Sequence, residues 1–184
     1  YVECFKKMSV EAGFPGIYLV ANVSDNSIKK EVMLQKGYDA VCYCDILGHA
    51  QQKRNTFWHK VYKHLQGILL NRPTHVYDYS KQYKELIGEI DKDENVIPQI
   101  VPQWDHSPRG GRKTNIYINS TPEYFAKHVR MAMEAIKGKK EEHQILMLKS
   151  WNEWAEGNYM EPDLTHGRGY IDALRQGVEE YKDK

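Results

Sequence analysis

Four short apolar runs, set apart by segments with helical spacing, constrain this chain more than any other feature. The runs are Gly16–Asn22, Tyr38–Cys44, Ile97–Trp104 and Ile145–Trp151. They are nearly continuous in apolar character, as strands covered on both faces are. Between them lie helical patterns. Val2, Phe5, Met8 (or Ser9) and Ala12 recur at helical spacing before a stop at Gly13. Ser27–Lys36, Thr56–Leu70 (ended by Arg72-Pro73), Ser80–Ile90 and Arg168–Tyr181 read as further helices. Another opens at Ser120-Thr-Pro-Glu123 and runs to about Lys137, with a hydroxyl cap, a proline in the first turn and an early acid.

Strands that alternate with helices imply an α/β fold of parallel strands with helical crossovers. An open doubly wound sheet and a piece of a (β/α) barrel both satisfy the pattern. A barrel repeats about every 31 residues, so four units are about half of one. Residues 1–184 read as a single domain. Its first helix lacks a start signal, which predicts that the chain is part of a larger domain whose N-terminal half is missing.

Charge and composition narrow the function classes. Lys+Arg is 26 and Asp+Glu is 25, a formal charge of +1, which gives no electrostatic case for a nucleic-acid partner. No apolar run approaches the roughly 18 residues that a membrane span needs. No signal peptide is visible, so the expected compartment is the cytoplasm. Three cysteines rule out a disulfide framework, and Cys42 and Cys44 read as reduced core residues. The eight histidines are scattered without metal-ligand spacing, so no metal is expected. Tyr (13) and Trp (4) are numerous, a weak hint of surfaces on which sugars stack.

The chemistry concentrates at strand ends, where parallel α/β folds bind ligands. Ser150-Trp-Asn-Glu-Trp-Ala-Glu-Gly157, followed by Met160-Glu-Pro-Asp163, comes directly after the fourth run. Glu153 and Glu156 lie three residues apart, so a helical turn would point both carboxylates the same way. Two neighbouring carboxylates can divide the roles of acid and base, as in glycoside chemistry. Trp151 and Trp154 supply apolar walls, and Gly157 allows a close backbone approach. Asn152 and Glu161 complete the segment. Gln103-Trp-Asp-His-Ser-Pro-Arg109 ends the third run. There Trp104 and Asp105 are sugar-binding candidates, and Arg109 can pair with Asp105 or another carboxylate. Asn22 and Asp45 end the first two strands. Tyr77-Asp78-Tyr79 can line a cleft, with Tyr79 as the candidate binding residue, although aromatic packing is the commoner use of such a triplet. Arg109-Gly-Gly-Arg-Lys113 lacks the spacing of a phosphate loop and reads as a turn.

These motifs resemble the WbsX-type, glycosyl-hydrolase-99-like family of polysaccharide (O-antigen, rhamnan) biosynthesis. The most specific part is Ser150–Gly157 with Glu161-Pro-Asp163, Gly167 and Tyr170. Upstream, Ala12–Val20, Gly37–Ala40, Val76–Tyr79, Trp104-Asp105 with Arg109, and Asn119–Glu123 match in order. The resemblance implies the C-terminal half of a (β/α)8 TIM-type barrel, about four units. It also implies a kinship with endo-α-mannosidases, a glycan substrate, and no metal or nucleotide. Glu153 would assist the substrate 2-hydroxyl, and Glu156 would act as acid and then base. The related hydrolases carry His where this chain has Ala155, and many relatives carry an acid where it has Tyr43. A glycosyltransferase and a non-catalytic glycan-binding module are the alternatives. A half barrel leaves open strand edges, so the isolated chain is expected to self-associate as a dimer and to lack activity by itself.

Overall fold

In a computed structural model, residues 1–44, 61, 65, 75–111 and 114–182 are described. The expected helix Thr56–Leu70, its stop at Arg72-Pro73, and Asp45 lie outside the described residues, apart from isolated positions. All four expected strands form, each shorter than its apolar run: β1 (Val20–Val23), β2 (Ala40–Tyr43), β4 (Gln99–Ile100) and β6 (Met147–Leu148). Pro98 and Pro102 flank β4 and remove the donors that a longer ladder would need.

These strands form one parallel row. β1 pairs with β2 and β4 with β6, both in parallel. A parallel bridge, Val41 to Val96, joins the two pairs, with Val41 N–H donating to Asn95 O and Ile97 N–H to Val41 O, both at 2.8 Å. The order β1-β2-β4-β6 follows the chain. Each new strand adds to the same edge, without the order reversal that marks a doubly wound sheet.

The row separates two apolar layers. Ala40, Cys42 and Ile97 pack with Met147 on one face. Ile100 packs with Phe125, Val129, Met160 and Tyr170 on the other, under α5 (Pro122–Ile136) and α6 (Gly169–Lys182). α5 starts where its sequence signals placed it: Thr121 Oγ1 accepts from Tyr124 N–H at 3.4 Å, and Pro122 follows the cap. α6 lies close against it, since a Cβ on Gly177 would sit 2.5 Å from Val129 Cγ1.

Three features depart from the sequence reading. First, a second parallel pair, β3 (His75–Asp78) with β5 (Asn115–Ile118), stands beside the row. Under it Tyr77, Tyr79, Tyr83 and Tyr117 form a buried cluster, with Tyr79 and Tyr117 edge-to-face at 5.3 Å. Much of the tyrosine content is therefore core rather than sugar platform. Second, Ser80–Ile90 is not one helix. A short α3 (Tyr79–Gln82) passes into 3-10 turns at Tyr83–Glu85 and Glu89–Lys92, broken where Gly88 is extended. Third, α1 (Val2–Glu11) and α2 (Lys30–Gln35) form, but the expected apolar face of α1 is not packed. Phe5 (55%) and Met8 (54%) are exposed, and the helix is tied down through the ion pair of Lys6 with Asp39 at 2.6 Å. The three cysteines are unpaired, Cys42 being fully buried. Among the described residues no helix is long and apolar enough to cross a membrane.

Candidate active site

Lys149 N–H donates to Ile100 O at 2.9 Å and closes the ladder of β6 with β4. The chain then enters a small hairpin: β7 (Asn152–Glu153), a 3-10 turn at Trp154–Glu156, and β8 (Asn158–Tyr159). Asn158 anchors it. Its buried side-chain oxygen accepts from Ser150 N–H, and Ser150 Oγ donates to Asn158 O, both at 2.9 Å. Gly157 makes the turn at φ +52°, and a Cβ there would meet Asp105 Cβ at 3.0 Å and Asp105 N at 3.1 Å. The expected close backbone approach is thus to Asp105. Asp105 N–H also donates to Glu156 O at 2.8 Å, so the two strand-end segments are locked together.

Arg109 completes the arrangement. It sits on the short helix α4 (Ser107–Gly110), which follows Asp105. Its Nη1 donates to Glu156 Oε1 at 3.0 Å, and its Nη2 lies 3.7 Å from Glu153 Oε1. Glu153 and Glu156 do face a common point, but not because of a helical turn: one is on a strand, the other in a 3-10 turn, and a single guanidinium spans them. His106 Nε2 lies 3.5 Å from the same Glu156 oxygen. Ion pairs as exposed as Arg109 contribute about 0–1 kcal/mol to folding, so stability is a poor reason for collecting these charges.

The aromatic walls are present as well. Trp151 and Trp154 are each 48% exposed. Trp154 stacks on Tyr159 at 3.7 Å and donates its indole N–H to Glu161 Oε2 at 2.6 Å, which fixes the plane of its ring. Trp104 lies beneath the Lys149 ammonium, 4.8 Å from the ring centroid, and edge-on to His106 at 6.3 Å.

The sequence-predicted residues divide accordingly. Glu153, Glu156, Trp104, Asp105, Arg109, Trp151, Asn152, Trp154 and Glu161 lie on the two joined segments. Asp105 uses Oδ1 to accept from Ser107 N–H at 2.9 Å, and it pairs with the backbone of the hairpin rather than with Arg109. Tyr79 is elsewhere: it is fully buried, donating to Val101 O at 2.6 Å and touching His128 Nδ1 at 3.0 Å, and so offers no face to a ligand. Asp78 is likewise structural, its Oδ1 accepting from Ser80 and Asn119. Asn22 is exposed on β1, at the opposite end of the row from β6. His106, Tyr159, Asn158 and Lys149 were not singled out by the sequence reading. His106 sits next to Asp105 in the quoted segment, and its neighbours gave the only signal.

The chain is thus an α/β protein that carries paired carboxylates and half-exposed indoles at the carboxyl ends of its parallel strands. More narrowly, it belongs to the glycosyltransferase WbsX family, whose profile matches residues 1–174. It is 29% identical over 104 residues to the uncharacterized protein WxcX of Xanthomonas campestris pv. campestris (strain B100), covering 56% of this chain and 15% of the relative. A WxcX from strain ATCC 33913 is 30% identical over 101 residues, covering 52% and 14%. The chain thus spans about a seventh of the length of these curated relatives. Among solved structures it resembles a glycoside hydrolase-like protein, with a TM-score of 0.54 and 16% identity over 96% of this chain and 49% of that one. That likeness concerns the fold.

Proposed function

We propose that the chain is the C-terminal half of a (β/α)8-type barrel that cleaves or transfers an α-linked glycan in surface-polysaccharide metabolism. The observation that carries this reading is the Arg109-bridged pair Glu153 and Glu156, on the same short segment as the half-exposed Trp151 and Trp154 just beyond the last strand of the parallel row. The sheet order and the coverage of about half of the glycoside hydrolase-like chain support the barrel part of it. In this mechanism Glu153 takes the proton of the sugar 2-hydroxyl, whose oxygen closes on the anomeric carbon as the glycosidic bond breaks; Glu156 gives a proton to the departing oxygen and then takes one from the water or acceptor hydroxyl that opens the anhydro ring.

The test is Glu156→Gln, with Glu153→Gln beside it, in the full-length protein. Turnover should disappear in both, and undiminished activity in either would overturn the assignment. The description of the family favours transfer as the second reading. An absolute requirement for an activated sugar donor would select it over hydrolysis. Glycan binding without turnover, unaffected by loss of the carboxylates, would mark a binding module.

A further inference from the structure

Lys149 is the charged residue that this mechanism leaves unused. Its place follows from the strand period of two. Leu148 packs toward α5 and α6, and Met147 packs on the opposite face with Ala40, Cys42 and Ile97. Lys149 shares the face of Met147, and its charge is felt at Cys42, whose thiol burial pushes up to about 12. The ammonium lies over the Trp104 ring at 4.8 Å, and the side chain is only half-exposed. Contacts run from it through Trp104 and His106 to Glu156. The two carboxylates of the site already share Arg109. Among the described residues no carboxylate pairs with Lys149.

A ring face attracts an ammonium without using up its three N–H donors, which stay open to an anion. A structural lysine at a strand end normally finds a carboxylate or extends into solvent. Among the described residues this one pairs with no carboxylate and lies over Trp104, on the segment that leads into Asp105, His106 and Arg109. We infer that Lys149, seated on Trp104 beside the carboxylate pair, binds an anionic group of the substrate: a carboxylate or phosphate adjoining the sugar that reacts. The inference rests on the glycan-active reading above. It adds the charge of the substrate, which that reading leaves open. A carboxylate would come from an acidic sugar of the glycan, a phosphate from an activated donor.

The experiment uses the full-length protein, with Lys149→Met to remove the charge and Lys149→Arg to keep it. Calorimetric titration with methyl α-glucuronide, methyl α-glucoside and inorganic pyrophosphate reads binding without any need for turnover. Wild type should bind at least one of the two anions at least tenfold more tightly than the neutral glycoside. Lys149→Met should lose tenfold or more of that preference, and Lys149→Arg should retain most of it. Preference for the glucuronide assigns the anion to the glycan, and preference for pyrophosphate assigns it to a donor. Equal binding of charged and neutral probes by wild type would overturn the inference. So would an anion preference that survives Lys149→Met while the Arg variant behaves as wild type. Because the readout is binding, inactivity of a glutamate variant bears on the proposed function alone.

Discussion

His128 should make this fold acid-sensitive by a calculable amount. It lies on α5, fully buried against Phe125 and Tyr79. Tyr79 spends its one proton on Val101 O, so the 3.0 Å contact with His128 needs a proton on His128 Nδ1. Nε2 is then bare, and among the described residues it has no hydrogen-bond partner. Charging the ring would place a cation in an apolar layer. Burial accordingly lowers the pKa from its ordinary 6.5 to about 4, with the Val101 carbonyl working weakly against it. The fold therefore favours the neutral ring. Its contribution is complete above pH 6.5, falls as the pH drops below 6.5, and is gone by about pH 4. At 1.36 kcal/mol per pH unit the gap amounts to about 3 kcal/mol. Carboxylates titrate in the same range, so the test is a difference. Urea unfolding, followed by tryptophan fluorescence from pH 7.5 to 4, is compared for wild type and His128→Asn. Asn keeps a donor near the Nδ1 position and has no ionisation. Wild type should lose about 3 kcal/mol more than the variant over that interval. Parallel stability curves would refute the burial argument.

Two further outcomes can be checked directly. Gly157→Ala puts a Cβ 3.0 Å from Asp105 Cβ in a left-handed turn. It should cost about 2 kcal/mol and lower Tm by about 4–8 °C in a thermal melt, and an unchanged Tm would show that the turn relaxes freely. The isolated chain should sediment and scatter light as a dimer: among the described residues β1 pairs only with β2 and β6 only with β4, and Phe5, Met8 and Phe14 are exposed. A monodisperse monomer would contradict this.

The sequence reading located every strand of the parallel row because apolar runs bounded by Gly and Pro are local signals. It overran their ends, since a ladder stops where a partner stops, and no local pattern records that. β3 and β5 escaped for a related reason. His75–Asp78 and Asn115–Ile118 are half polar, and their pairing joins residues about 40 positions apart in the sequence. Their tyrosines carry hydroxyls that composition cannot distinguish from ligand-facing ones. Tyr79 shows the difference, since only the tertiary fold supplies Val101 O and His128 to satisfy it in the core.

The two glutamates meet in space for a reason other than the one their spacing suggests. A three-residue spacing suggested a helical turn, yet Glu153 and Glu156 belong to different local structures. What unites them is Arg109, 47 residues before Glu156, delivered by a segment that the hairpin grips through Asp105. Spacing within one loop was therefore the lesser constraint, and the ordering of two neighbouring strand ends the greater. The same ordering sets Trp104 under Lys149. Replacing Asp105 with a residue that keeps its backbone N–H should therefore leave the hairpin attached, whereas any change that parts the β4 and β6 ends should scatter Arg109, Trp104 and both glutamates together. The site is a property of that junction, and no single motif contains it.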